Sequence, residues 1–360
     1  MRIGIKSPAL VCALIAAELH VPAAEKLAGG PFVVNVGPRS ATLVWIVGAG
    51  EATLGTEPGK ADKTAPVLRT EKVAYTGLQP GTRYYYDVKG CDDGRGSFQT
   101  APRESADFQF AVFGDTRTRH DMHRRVVAAV LKHGMPDFVL HTGDLVADGA
   151  DPALWPIFFD IERELLRNVA FYPSLGNHER NNPRFYDFFN LTLPYYSFDW
   201  GKAHFIVLCS DIGNAATSQA ARVSFWNEQV RWLEEDLAKS QNADFRFLTA
   251  HHPPITAVAR RQGDNPEMAA LMPLFEKQHL TAGFFGHDHN YQHYLKNGVH
   301  YVTTGGGGAP LYDVDKPPAG ITQKVISAEN FVSVKVTGKS AQLEASGLDG
   351  SVLDRIDFKP

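Results

Sequence analysis

Phe108-Gln109-Phe110-Ala111-Val112-Phe113 runs apolar into Gly114-Asp115, and the same order recurs along the chain. Asp137-Phe138-Val139-Leu140 leads to Gly143-Asp144, and Phe171-Tyr172-Pro173 to Gly176-Asn177-His178-Glu179. Phe245-Arg246-Phe247-Leu248 leads to His251-His252-Pro253, and Gly283-Phe284-Phe285 to Gly286-His287-Asp288-His289. Short apolar runs of this kind predict strands buried on both faces. Helical patterns lie between them: Met122, Val126 and Val130; a helix around Pro152 to Asn168; a stripe of Trp226, Val230, Leu233 and Leu237; and a helix around Pro266 to His279. Strands alternating with helices predict an α/β domain, which carries its site at the carboxyl ends of its strands. Here those ends hold Asp, Asn and His, hard oxygens and imidazoles that suit Zn, Mn or Fe. Together they read as one dinuclear metal site, and the chain as an enzyme.

Working outward, residues from Pro31 to about Ala101 are short, alternating and β-rich. Ala41-Thr42-Leu43-Val44-Trp45 and Arg83-Tyr84-Tyr85-Tyr86-Asp87-Val88 have the period of two that a half-buried strand requires. Between them Pro80-Gly81 marks a turn, and Tyr84 just after it is placed to return its hydroxyl to upstream backbone, as in sandwich corners. Residues 30–101 resemble a fibronectin type III domain on these features, with Ala101-Pro102-Arg103-Glu104-Ser105 as the linker to a second domain over 106–358. After Val302 the pattern turns β again, at Phe331 to Val336, Ala341 to Ala345 and Val352 to Phe358, strands expected to complete a second sheet.

The 360 residues suffice for two domains, and 44% hydrophobic content belongs to a globular protein. A net charge of −4 provides no basic stripe for nucleic acid, so none is expected as a partner. A small phosphorylated substrate remains compatible, since bound cations supply local positive charge. Residues 1–24 read as an export signal: Arg2 and Lys6, then the apolar Ala9 to Ala17, then small residues at Val21 to Ala24. The apolar run is shorter than the roughly 20 residues of a spanning helix, so no transmembrane anchor is expected; the alternative is a short buried helix. An exported, periplasmic or secreted, enzyme follows. Cys12 would leave with the signal, and a Cys91–Cys209 disulfide is not expected across the domains.

The ordered set Gly114-Asp115, Gly143-Asp144, Gly176-Asn177-His178-Glu179, His251-His252-Pro253, Gly286-His287-Asp288-His289 is similar to that of the calcineurin-like metallophosphoesterases. With the fibronectin-like segment ahead of it, the chain resembles the purple acid phosphatase group. The resemblance implies a β-sandwich followed by a two-sheet α/β/β/α sandwich, and two metal ions of Fe, Zn or Mn type. It implies Asp144 as the bridge between them, Asp115 and His289 on the first metal, and Asn177, His251 and His287 on the second. His251 is preferred to His252 because the family's ligand stands two residues before the Pro. Two cations about 3.5 Å apart polarise phosphoryl oxygens and generate a hydroxide nucleophile near neutral pH. His178 would stabilise the transition state or protonate the leaving oxygen. The implied activity is phosphomonoester hydrolysis. A phosphodiesterase or nucleotide hydrolase on the same metals is the alternative, and an adhesion module with a degenerate hydrolase domain the remote one.

The chain departs from the family in two places. Many members carry His two residues after the first Asp, where this chain has Arg117; purple acid phosphatases carry Tyr three residues after the second, where it has Ala147. The first metal's further ligand is therefore open: His123, His120 or water. Arg117 reads either as a forked holder of substrate phosphate or as a surface ion-pair partner. Glycines 305 to 308, with no Lys-Ser or Lys-Thr following, read as a tight loop at the site's edge and not as a nucleotide loop.

Overall fold

A computed structural model describes residues 25–104 and 107–359; the reading of 1–24 as an export signal lies outside the described residues. The N-terminal half runs β1 (Leu27–Val34), β2 (Ser40–Leu54), β3 (Lys63–Thr76), β4 (Arg83–Asp87), β5 (Arg95–Gln99), β6 (Phe108–Phe113), α1 (His120–His133), β7 (Phe138–His141), α2 (Leu154–Ile161), α3 (Arg163–Leu166), β8 (Ala170–Pro173) and α4 (Pro183–Phe189). There follow β9 (Tyr196–Trp200), β10 (Ala203–Val207), α5 (Ile212–Ala215), α6 (Gln219–Lys239), β11 (Phe245–Ala250), α7 (Pro266–Lys277), β12 (Ala282–Phe285), β13 (Tyr291–Lys296), β14 (Val299–Thr304), β15 (Thr322–Ile326), β16 (Asn330–Thr337), β17 (Ser340–Gly347) and β18 (Val352–Phe358).

The strands form a nine-stranded sheet in the order β18-β17-β16-β6-β7-β8-β1-β2-β3 and a seven-stranded sheet in the order β15-β13-β14-β12-β11-β10-β9. β6, β7 and β8 pair in parallel, as do β10, β11 and β12, because a helix crosses over between successive members; β14 joins β12 in parallel after the antiparallel strand β13. Burial on both faces explains the continuous apolar character of Phe138–His141 and Ala282–Phe285, in which every residue is buried. One core lies between the sheets; a second packs α1, α2 and α4 on the first sheet, and a third packs α6 and α7 on the second. This is the expected α/β/β/α order of layers.

The N-terminal region is β-rich, as its alternation predicts. β1 pairs in parallel with β8 at Val33–Ala170 and antiparallel with β2, so β1 to β3 lengthen the first sheet at one edge. β4 and β5 make a separate ribbon. The Tyr84 hydroxyl accepts the Gln79 N–H at 2.8 Å, the contact the Pro80-Gly81 turn leads one to expect. The strands after residue 330 differ from expectation. β16 pairs with β6, so β16, β17 and β18 extend the first sheet and not the second. Their hydrophobic pattern is equally compatible with either, and the pairing partner decides. Cys91 and Cys209 are free thiols. Among the described residues no helix is long and apolar enough to cross a membrane.

Aromatic rings fill the space between the sheets. Phe110 stacks on Phe138 with centroids 5.1 Å apart and meets Phe205 and Phe247 edge-on at 5.2 and 5.4 Å. This contact clamps the strands that end in Asp115, Asp144 and His251.

In α1 the buried stripe is His123, Val126, Val127 and Val130, with Met122 only half-buried. His123 therefore takes the inward position. Its Nε2 meets Glu162 Oε1 at 2.6 Å, and its ring stacks on Phe158. Burial pushes Glu162 from 4.5 up to about 8 and His123 from 6.5 down to about 3, so a carboxylic O–H donates to a neutral imidazole. Glu162 also marks where the single helix expected over Pro152 to Asn168 divides into α2 and α3.

Two outcomes are expected. Phe110→Ala should lower unfolding free energy by about 3–5 kcal/mol, measured by denaturant titration; Phe110→Leu should cost clearly less. For Glu162, whose folded value is raised, the contribution to stability is complete below 4.5 and is lost as pH rises through about 8. His123, whose folded value is lowered, acts oppositely: its contribution is present above 6.5 and lost as pH falls toward about 3. Between pH 6.5 and 8 the Glu162 loss stands alone, on the order of 2 kcal/mol. Glu162→Gln, neutral throughout, should flatten the fall in melting temperature across that window; an unchanged profile would show that Glu162 is ionised in the fold.

Candidate metal centre

The carboxyl ends of β6, β7 and β8 in one sheet and of β11 and β12 in the other converge on one point. Asp115 and Asp144 stand there at 0% and 1% exposure, and Asp115, Asp144 and His251 present ligand atoms within 4.8 Å of one another. Asn177 Oδ1 lies 3.1 Å from both His251 Nε2 and His287 Nδ1, which are themselves 3.2 Å apart. Asp144 Oδ1 joins this group at 3.4 Å from His251 Nε2. On the other side His289 Nε2 is 3.4 Å from Asp115 Oδ1. All six candidate ligands are thus brought together, in two sets that meet at Asp144.

Local backbone makes this approach possible. Asp115, Asp144 and His287 adopt left-handed conformations with φ of 59°, 57° and 67°, which turn each side chain back over its strand end. Such conformations cost on the order of 1 kcal/mol or more and persist where surroundings over-determine them. Glycines in the turns are needed for contact: a Cβ on Gly176, ahead of Asn177, would collide with Asp144 N, and one on Gly286, ahead of His287, would stand 2.5 Å from Asp115 Oδ2. Glycines 305 to 308 lie beside the β6 loop, where Gly307 N–H donates to Gly114 O at 3.0 Å and Ala309 N–H to Asp115 O at 2.8 Å.

Hydrogen bonds fix the imidazoles. The Nδ1–H of His251 donates to Thr142 O at 2.9 Å, that of His289 to Pro310 O at 2.7 Å and that of His178 to Ala147 O at 2.7 Å. Each Nε2 is thereby turned into the site with its lone pair available. His178 is partly exposed, with Nε2 at 3.9 Å from Asp144 Oδ2 and its backbone N–H on Asp144 Oδ1 at 3.0 Å.

The electrostatics match a cation site. Burial and the Asp144 charge hold Asp115 well above the usual carboxylate range. Burial pushes His251 down to about 3 and His289 to about 4, and lowers His287 as well, so the imidazoles are neutral donors. Paired buried acids beside neutral imidazoles form a donor set that positive charge stabilises. On the carboxylate side stands Arg117, whose Nε lies 3.4 Å from Asp144 Oδ2 at ion-pair distance but without a hydrogen-bond partner. His123 is not available to the first set, since Glu162 holds it in the helix layer. His120 is the first residue of α1 and is not among its buried residues.

Other residues here were given no role by the sequence reading. Glu179 is fully buried; its carboxylate accepts the N–H groups of Asp144, Leu145 and Gly176 at 3.0, 2.8 and 2.8 Å, tying the β7 and β8 loops together. Its place in Gly176-Asn177-His178-Glu179 was the available signal. Arg261 and Tyr312 come from distant loops: Arg261 meets His287 Nε2 through Nη1 and Tyr312 Oη through Nη2 at 3.3 Å, and Tyr312 stacks on His289 with centroids 4.1 Å apart. Nothing in Arg260-Arg261-Gln262 distinguishes it from a surface loop. His252 binds Ser210 Oγ through Nδ1 at 2.9 Å and opens onto a cleft of about 380 Å³ lined by Asp211, Arg222, Trp226 and Glu267. A larger cleft of about 640 Å³ lies by Gly29, Leu68 and Phe159 and contains none of the candidate ligands.

Residues 108–291, just over half of the chain, match the calcineurin-like phosphoesterase family. Among curated relatives, tartrate-resistant acid phosphatase type 5 of Sus scrofa is 27% identical over 64% of this chain and 78% of its own. Acid phosphatase type 7 of Mus musculus is 25% identical over 71% of this chain and 68% of its own. The purple acid phosphatase of yellow lupin (Lupinus luteus) seeds superposes with a TM-score of 0.69 at 16% identity, covering 91% of this chain and 74% of that one. The chain belongs to the calcineurin-like phosphoesterase family and has the fold of a purple acid phosphatase.

Proposed function

We propose that the chain is a dinuclear-metal phosphomonoesterase of the acid phosphatase kind. The observation that carries this reading is the pair of buried carboxylates, Asp115 and Asp144, each joined by its own set of nitrogen and oxygen donors. Asp115 and His289 would hold one cation, Asn177, His251 and His287 the other, and Asp144 both. When bound, such cations polarise phosphoryl oxygens and supply a nucleophile near neutral pH.

The chain's own groups then act around the phosphoryl unit. Ala147 O accepts the Nδ1–H of His178 and so turns Nε2 toward the site, as the atom that would stabilise or protonate the departing ester oxygen. Arg117, 17% exposed and with an unpartnered Nε, offers a donor fork to a phosphoryl oxygen on the Asp144 side. The cleft beside His252 takes the organic part of a small phosphorylated substrate. Export belongs to the same reading and is supported by the basic, apolar and small-residue order of residues 1–24. The fibronectin type III likeness of 30–101 is supported by the Tyr84 contact.

Phosphomonoesters and diesters assayed with Mn, Zn, Fe, Co and Mg test the reading, and preference for diesters would replace it with a phosphodiesterase. Asp144→Ala should abolish both activity and bound metal while the circular dichroism spectrum is kept; two tightly held metals in the variant would refute the ligand set. His178→Ala should lower kcat about 10²–10⁴-fold with metal content unchanged. The loss should shrink for good leaving groups such as nitrophenol; an equal loss on good and poor ones would leave electrostatic stabilisation as its role.

A further inference from the structure

Three histidines at the centre have their outward nitrogens satisfied by carbonyl acceptors: His251 by Thr142, His289 by Pro310 and His178 by Ala147. His287 is the exception. Its Nδ1 faces Asn177 and His251, and its outward Nε2 faces Nη1 of Arg261, a donor. A guanidinium has no acceptor to offer, and it is always charged. A neutral His287 that binds a cation through Nδ1 carries its proton on Nε2, and two N–H groups then point at one another. The Arg261–His287 contact and cation binding at Nδ1 therefore exclude each other.

We infer that Arg261 is a substrate-binding residue, released from His287 when the centre takes its cations and turned onto a phosphoryl oxygen of a phosphomonoester. This rests on the dinuclear reading above. The arm is anchored for such a movement. Arg261 Nε lies 3.5 Å from Asp288 Oδ1, both atoms being buried without a hydrogen-bond partner, and Nη2 reaches Tyr312 Oη at 3.3 Å. The guanidinium carbon stands 5.0 Å from the Tyr312 ring centroid, where a cation is held by the ring's negative face. Asp288 and Tyr312 thus keep the side chain beside the centre, and the long weak contacts to both let the whole planar fork swing off His287 without leaving the site. Leaving a largely shielded charged donor unpaired is costly, so Nη1 takes a new acceptor, and the one the chemistry brings is a phosphoryl oxygen.

Arg117 and Arg261 enter from different sides, one beside Asp144 and the other beside His287. A monoester dianion has one more unesterified oxygen and one more negative charge than a diester, so it can face the cations and both forks. A diester would set its second organic group against one of the guanidiniums. Arg261 is accordingly the residue that favours monoesters.

The test uses the full chain loaded with Mn or Zn, with inorganic phosphate as the probe in isothermal titration calorimetry. Arg261→Gln should weaken phosphate binding about 10–100-fold while the metal content stays the same or binds more tightly. Its ratio of kcat/KM for nitrophenyl phosphate over bis-nitrophenyl phosphate should fall about tenfold. Arg261→Lys keeps the charge and loses the fork, so it should give an intermediate affinity and carries the comparison if the Gln variant fails to fold. Unchanged phosphate affinity in both variants would overturn the assignment. So would loss of metal together with phosphate, which would make Arg261 a support for His287. Wild-type protein that binds no cations would refute the dinuclear reading itself and the release mechanism with it.

Discussion

Two carboxylates buried side by side are the constraint on which the rest of this molecule depends. Asp115 and Asp144 follow adjacent parallel strands, and their side chains are almost wholly removed from water. Like charges in such a place cannot both ionise without positive charge close by. The surrounding groups answer that requirement. Neutral imidazoles and an amide oxygen stand beside them as candidate cation ligands, and the guanidinium of Arg117 stands at ion-pair distance.

The scaffold around this pair is stiff where it must be. Both sheets contribute strand ends, and the aromatic contacts of Phe110 with Phe138, Phe205 and Phe247 hold the two sheets in register across the core. Packed strands place donors more accurately than mobile loops do. The loops themselves are tied: Glu179 gathers N–H groups from the β7 and β8 turns, and glycine at 176 and 286 lets one turn approach another where a Cβ would collide. The left-handed backbone of Asp115, Asp144 and His287 is a cost accepted for aim.

Much of this was legible locally. An apolar run followed by Gly-Asp, or by His, encodes both a buried strand and the donor at its end. The helix over Pro183–Phe189 was missed, although a local signal was there in Asn182, whose side chain accepts the Arg184 N–H as a cap, and in Pro183 in the first turn. His123 was not legible. Its neighbours Met122, Val126 and Val130 imply an inward stripe through Met122, but a buried partner, Glu162, draws His123 inward in its place.

By itself, then, the sequence determined which residues form the strands, which donors end them and that their chemistry suits cations, because strand burial and ligand type are properties of a few consecutive residues. Tertiary structure alone decided the rest. It set the sheet that β16 to β18 join, since any amphipathic strand can pair with either sheet. It set the nitrogen each imidazole presents, through carbonyls on distant loops. It brought Arg261 and Tyr312 to the centre. The His287 N–H meets Asp115 across 172 residues of chain, and no periodicity reports a contact at that separation.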